Sequence, residues 1–180
     1  MNRIYVLLLF IPMLFACGPQ NDGLTMHNSQ AIHDHDRCHM CGMMITKYPG
    51  PKGEVLLKNS DVIPKFCSTR DMFNFILQPE NQRQVSQVYV HDMAKTSWEM
   101  PKDDSFIDGV KAWYVYGSNR KGVMGPSVGS FSSADAAQNF ANEFGGAVLA
   151  YDEITLEVLG EGMSHEKGMS HKKGMSHKKT

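Results

Sequence analysis

The chemistry in this chain is concentrated in Cys38-His39-Met40-Cys41-Gly42-Met43-Met44-Ile45. Cysteine, histidine and methionine, three types that bind soft metals, share the consecutive positions from Cys38 to Met43. Thiolate and thioether sulfur select copper(I), zinc or iron–sulfur clusters over hard cations. The methionines narrow that set, because an uncharged thioether suits copper(I) better than zinc. On an extended chain residues i and i+2 point the same way. Cys41 and Met43 can then face one ion, while Met40 and Met44 turn to the other face and pack. Gly42 between them tolerates a turn. A plainer reading makes Met43, Met44 and Ile45 the start of a core strand and leaves Cys38/Cys41 an ordinary CxxC.

The elements that must position these residues follow in order. Gly53–Leu57 and Val62–Phe66 are strand candidates, joined by the turn-forming Lys58-Asn59-Ser60-Asp61. Ser68-Thr69-Arg70-Asp71 resembles a capping box before an apolar helical face at Met72, Phe73, Phe75 and Ile76, and Pro79 stops that helix. Val85–Asp92 alternates as a strand with Val88 and Val90 inward. Residues 93–108 read as a surface loop whose Trp98 plugs one end of the core. Lys111–Tyr116 is a strand, and Val123-Met124 opens the next strand or loop. Ser133 caps a helix running to Phe144, which Gly145-Gly146 ends. Ala147–Tyr151 is a strand, and Glu153–Leu159 is a short terminal segment. Phe66-Cys67-Ser68 is echoed by Phe131-Ser132-Ser133, each before a helix and a strand. The expected fold is α+β, with two small ββαβ-like modules packed together.

His39-x-Cys41-Gly42-Met43 followed by Tyr48-Pro49-Gly50-Pro51-Lys52-Gly53 resembles the NosL family. The resemblance continues in Lys111–Tyr116, in Val123-Met124-Gly125-Pro126, in Phe131 and in Gly145–Leu149. It covers residues 35 to 155, most of the chain. It implies a periplasmic, lipid-anchored copper(I) protein that serves nitrous oxide reductase maturation. The implied partners are that enzyme and its ABC-type maturation complex. The ββαβ arrangement, which the family shares with organomercurial lyase, agrees with the doubled module. Related positions in two packed halves would then bring Met43 and Met124 together. The expected copper(I) set is Cys41 thiolate with the Met43 and Met124 thioethers. His39 is a candidate fourth ligand and Cys38 a substitute. One thiolate neutralises a monovalent ion, and two neutral thioethers add no charge.

The ends of the chain carry their own signals. Residues 1–16 read as a lipoprotein signal peptide: Arg3, an apolar run from Ile4 to Phe15, then Leu14-Phe15-Ala16-Cys17. That run is shorter than the ~20 apolar residues needed to span a bilayer. Acylation of Cys17 would anchor the mature chain to a bacterial membrane, inner or outer. Residues 17–35 are polar and form the expected tether, with His27, His33 and His35. Residues 36–160 form the expected copper-binding domain. Residues 161–180 form a tail in which Gly-Met-Ser-His-Glu-Lys is followed by Gly-Met-Ser-His-Lys-Lys twice. Each repeat offers one thioether (Met163, Met169, Met175) and one imidazole (His165, His171, His177). The tail carries five lysines against Glu161 and Glu166, a charge of +3. The repeat suits weak, interchangeable copper scavenging, or is a recent expansion without a role.

The net charge of −1 over 180 residues gives no reason to expect nucleic acid. No hydrolase, kinase or dinucleotide motif is present, so a binding protein is expected rather than an enzyme. With Cys17 acylated, Cys38, Cys41 and Cys67 remain, an odd number that cannot all pair internally. A thiol–disulfide protein built on Cys38/Cys41 is one alternative, although that motif does not sit between the strand and helix of a βαβ unit. A structural zinc site using Cys38, Cys41, Cys67 and His39 is another. Cys67 precedes a helix N-terminus, where a thiolate is stabilised. General copper or mercury sequestration is the alternative to delivery.

Overall fold

The computed structural model describes residues 29–160. The signal peptide with Cys17, the first part of the tether and the Met/His tail lie outside them.

The core strands form two antiparallel sheets. The first module contains β1 (Gly53–Leu57), β2 (Lys65–Phe66), α1 (Thr69–Ile76), a short α2 (Pro79–Gln82) and β3 (Val85–His91). Strand β4 (Phe106–Asp108) adds to its edge, giving the order β2-β1-β3-β4. The second contains β5 (Trp113–Ser118), β6 (Ser127–Phe131), α3 (Ala134–Phe144) and β7 (Ala147–Leu149), in the order β6-β5-β7. Each module is thus ββαβ with its first strand in the middle. The α+β reading and the doubled module both hold.

The two helices start alike. Ser68 and Ser133 are the N-caps, and their hydroxyls accept from the amides of Asp71 and Ala136 at 3.0 and 3.2 Å. Both satisfy an amide that the first helical turn leaves without an intrahelical partner. In each module a buried Phe (Phe66, Phe131) precedes the cap by two residues. Helix α3 ends where Gly145 and Gly146 adopt φ 73° and 102°, a left-handed backbone that glycine enters without a Cβ clash.

Several boundaries differ from the sequence reading. Strand β2 is only two residues long, because Pro64 has no N–H to donate and its carbonyl accepts from Val55 instead. Pro79 follows the end of α1 as expected, with Gln78 before it already extended, and it also opens α2 at its first position, where its missing N–H costs nothing. Residues 93–108 are not all loop, since β4 pairs with β3 through Tyr89, Val90 and His91. Trp98 is buried as expected, stacked on Phe140 with its indole N–H on the Lys121 carbonyl. Residues 30–36 lie on the domain: the Gln30 and Ile32 amides donate to Glu54 and Asp103.

The modules meet through β3, β6 and α1. Met93 N–H donates to the Ser130 carbonyl at 2.8 Å, and Ser130 Oγ donates to the His91 carbonyl at 2.7 Å. Phe73 on α1 packs edge-on against Tyr114 of β5, with ring centroids 4.9 Å apart. The start of α1 therefore faces both halves of the molecule, and the candidate metal-binding cluster lies there.

Candidate metal centre

The stretch from Arg37 to Met44 folds back on itself. Arg37 and Met44 form an antiparallel bridge, Cys38 N–H donates to the Met43 carbonyl and Gly42 N–H to the Cys38 carbonyl, both at 2.8 Å. Gly42 sits at φ 73°, and a Cβ there would meet nothing within 4 Å. Its backbone conformation, not lack of space, calls for glycine. His39 N–H donates to the Lys65 carbonyl, which docks the turn onto β2.

The turn carries Cys38 and Cys41 towards the start of α1. Cys67 leaves the end of β2, and Asp71 lies one turn into the helix. One ligand atom from each of Cys38, Cys41, Cys67 and Asp71 lies within 4.8 Å of the other three. Cys41 Sγ is 3.5 Å from Cys67 Sγ. Asp71 Oδ2 is 3.2 Å from Cys67 Sγ and 3.6 Å from Cys38 Sγ. Cys38, Cys67 and Asp71 are buried and Cys41 is half-buried, so the cluster opens outward on the Cys41 side. All three cysteines are free.

The protons within the cluster are unevenly held. Hydrogen bonding to Cys67 pulls Cys38 down to about 5. The same bond, then burial and the Asp71 charge, pushes Cys67 far up. Burial also raises Cys41. The sequence reading gave Cys67 a position beside the helix N-terminus that stabilises a thiolate; in the structure its thiol donates to Asp71 Oδ2, and its pKa is shifted upward.

Lys52 lies beneath the cluster, 3% exposed. Its Nζ donates to the Tyr48, Pro49 and Cys67 carbonyls at 2.6, 3.2 and 3.1 Å. Burial lowers its pKa to about 8, opposed by the nearby Cys67 and Cys38. A buried ammonium with three carbonyl partners adds positive charge below a group of thiols. The Tyr48–Gly53 segment of the resemblance thus has a physical role at the site.

The remaining predicted residues are placed as follows. Met43 is half-buried and packs against the main core beside Cys41. His39 is exposed; its ring lies edge-on to Phe75 and Phe66, with centroids 5.1 and 6.0 Å away, outside the four-residue cluster. Met124 is 53% exposed, in a loop before β6. It lines a cleft of about 330 Å³ with Arg70, Asp71, Asn74, Gly125, Leu156, Leu159 and Gly160. Asp71 borders both this cleft and the thiol cluster. Met40 does not pack: it is 48% exposed, because the turn at Gly42 breaks the alternation that an extended chain would give.

Arg70 fixes the Met124 loop. Its Nη1 donates to the Met124 carbonyl at 2.7 Å and its Nη2 to the Leu159 carbonyl at 2.8 Å. Gly125 follows at φ 68°, and a Cβ there would collide with Arg70 Nη1. Sequence reasoning did not name Asp71 or Arg70 as site residues, and it gave Cys67 to the zinc alternative and to a thiolate-stabilising position before the helix, outside the expected copper(I) set. The available signal was their clustering at the first turn of α1.

The sequence profile of the NosL family matches residues 29–159. The chain belongs to the NosL family. Among curated relatives it is 42% identical over 151 residues to the copper-binding lipoprotein NosL of Stutzerimonas stutzeri, covering 84% of this chain and 78% of that one. It is 39% identical over 120 residues to the copper-binding lipoprotein NosL of Achromobacter cycloclastes, covering 65% and 62% of the two chains. Among solved structures it is similar to the copper chaperone NosL from Shewanella denitrificans, with TM-score 0.70 and 48% identity over 72% of this chain and 96% of that one. The family match stops at Leu159, just before the Met/His tail.

Proposed function

We propose that this chain is a lipid-anchored copper(I) carrier of the periplasm that hands its ion to nitrous oxide reductase through the enzyme's ABC-type maturation complex. The observation that carries the binding step is the gathering of three thiols and one carboxylate at the base of α1, in a family whose named relatives bind copper. The proposed ligands are Cys41, Met43 and Met124, with His39 as a further neutral donor. Cys38 thiolate and Cys67 stand behind Cys41. The donors are predominantly soft, which favours copper(I) over hard cations. Binding to a thiol requires its proton to leave, so copper uptake releases protons and strengthens as pH rises. Delivery rests on the family resemblance; general copper or mercury sequestration uses the same donors.

One observation favours a second reading. Three cysteines and an aspartate within 4.8 Å of one another are also a four-ligand set suited to tetrahedral zinc. The set differs from the Cys₃His one expected from sequence, because Asp71 stands where His39 was expected.

Competition of reduced protein with a chromophoric copper(I) chelator separates these readings. Cys41→Ser is expected to lose most affinity, Met43→Ala and Met124→Ala less, and Met44→Leu almost none. Wild-type affinity in Cys41→Ser, or a preference of the reduced protein for zinc, would overturn the copper(I) assignment. Delivery is tested by deleting the gene: nitrous oxide reductase should then accumulate copper-poor, and a fully loaded enzyme would leave sequestration.

A further inference from the structure

Three free thiols in one cluster can react with one another as well as bind an ion. Cys38 and Cys67 are buried and Cys41 is half-buried, so an oxidant from solution meets Cys41 first. The copper(I) set proposed above uses Cys41 and leaves Cys67 outside it. Yet the Cys41 sulfur lies 3.5 Å from the Cys67 sulfur. An approach of about 1.5 Å brings such a pair to bonding distance.

The two cysteines are mounted differently. Cys67 is held on both sides: its carbonyl accepts from Lys52 Nζ at 3.1 Å, and the next residue, Ser68, caps α1. Cys41 rides on the turn at Gly42, where a Cβ would meet nothing within 4 Å. The adjustment therefore falls to Cys41, on the uncrowded side. Cys38 lies within 4.8 Å of both and is the competing partner that a test has to exclude.

We propose that Cys41 and Cys67 form a reversible disulfide that closes the site to copper(I). This rests on the reading of Cys41 as the copper(I) thiolate. The co-reactant is a disulfide, RSSR, of a small thiol or of a dithiol oxidant protein. Cys41 thiolate attacks one sulfur of RSSR, RS⁻ leaves, and a Cys41–S–S–R mixed disulfide forms. Cys67 then attacks the Cys41 sulfur and displaces the second RS⁻. The two cysteine protons end on the two leaving thiolates. Two electrons pass from the cysteines to RSSR, which becomes two RSH.

The closed form has no thiolate at Cys41, and Met43, Met124 and His39 are neutral donors. Copper(I) already bound occupies the Cys41 sulfur and blocks the attack. The proposed periplasmic setting is oxidising, so the empty carrier is the form exposed to this reaction, and a thiol reductant has to open it before loading.

The test uses reduced full-length protein extracted from membranes, empty or copper(I)-loaded, and oxidised glutathione as RSSR. Free thiols are alkylated after an acid quench, and the peptides are mapped by mass spectrometry. The empty protein should lose two hydrogens, gain a Cys41–Cys67 cross-link and show Cys38 alkylated. Its copper(I) affinity, read by chelator competition, should fall to that of Cys41→Ser and return with dithiothreitol. Cys38→Ala should keep the cross-link, and Cys67→Ala should stop at the glutathione adduct of Cys41. Loaded protein should stay reduced. A wild-type cross-link through Cys38, loss of the cross-link in Cys38→Ala, or equally fast oxidation of loaded protein would overturn the proposal. Three unreacted thiols, with Cys41→Ser still weak, would overturn the disulfide and leave the copper(I) reading standing. Unchanged copper(I) affinity in cross-linked protein would overturn both.

Discussion

Arg70 allows the positioning of Met124 to be separated from the stability of the fold. Its guanidinium is buried and forks between the Met124 and Leu159 carbonyls. A hydrogen bond from a charged donor contributes about 1.5–3 kcal/mol, so two would suggest a loss of several kcal/mol on removal. Three features reduce that figure. The exposed Met124 loop can give its carbonyl to water, and the Leu159 carbonyl keeps Tyr116. Arg70 Nε is buried without a partner, so its desolvation already weighs against the arginine. Replacing a buried charge by an apolar chain of similar volume is often nearly neutral. Arg70→Met should therefore destabilise the fold by only about 1–2 kcal/mol. Copper(I) affinity should fall further, because the Met124 loop loses its fixed position; removal of groups that orient metal ligands costs about 10–100-fold. Gly125→Ala probes the same contact from the other side. Its Cβ would collide with Arg70 Nη1, and the left-handed backbone adds about 1–2 kcal/mol of strain. The collision vanishes with Arg70, so the double variant should be milder than the two single effects added. Urea unfolding and chelator competition on the four proteins supply the cycle. Unchanged copper affinity in Arg70→Met, or strict additivity with Gly125→Ala, would refute the clamp.

Two further predictions lie away from the clamp. Glu54 is fully buried in β1 and burial raises its pKa from 4.5 to about 7. Because the folded value lies above the unfolded one, its stabilising contribution is complete below pH 4.5 and is lost as pH rises through about 7. That loss is about 3 kcal/mol, and Glu54→Gln should remove it, so the variant's urea midpoint should fall less than the wild type's between pH 4.5 and 8; an equal fall rejects the assignment. Acylation of Cys17, suggested by Leu14-Phe15-Ala16-Cys17, should appear as an N-terminal diacyl- or triacyl-cysteine in mass spectra of membrane-extracted protein, whereas unmodified soluble mature chain from wild-type cells would reject it.

What could be read from the sequence depended on how local each signal was. Ser68 and Ser133 each satisfy a helix amide within three residues, so both helix starts were visible, and with the Phe two residues before them so was the repeat. Gly145-Gly146 acts just as locally. Asp71 was harder to read. An acid in the first turn of a helix is expected for the macrodipole alone, and only the fold reveals that its carboxylate turns to Cys67 and Cys38. The alternation argument grouped Cys41 with Met43 and sent Met40 inward. It failed for Met40 because one left-handed glycine, at position 42, replaces the extended chain by a turn. That same turn brings Cys41 to Cys67, 26 residues away, a pairing that no local pattern encodes. Arg70 was equally hidden, since its partner carbonyls belong to residues 54 and 89 positions further along.

The doubled module also explains why the proposed site is lopsided. Counted from the two N-cap serines, Cys67 corresponds to Ser132 and Asp71 to Ala136. The second module keeps the cap and the buried Phe but has neither the thiol nor the carboxylate. Its contribution to the proposed site comes from an exposed loop, through Met124. The donors are consequently graded. Cys38, Cys67 and Asp71 are buried above Lys52, within one module, where they are held in place. Cys41 is half-buried, and Met124 stands in the open, fixed only through its backbone. A carrier needs this gradient, because tight holding and rapid release conflict if every ligand is equally buried. In the proposed transfer, an incoming ligand would displace the exposed Met124 thioether while Cys41 and Met43 still hold the ion, so that exchange would proceed one ligand at a time without release of free copper. Two symmetric, fully buried half-sites would give affinity without that route. Ser132 and Ala136, where the first module has Cys67 and Asp71, leave the second module to supply only an exposed donor, which fits the proposed transfer role.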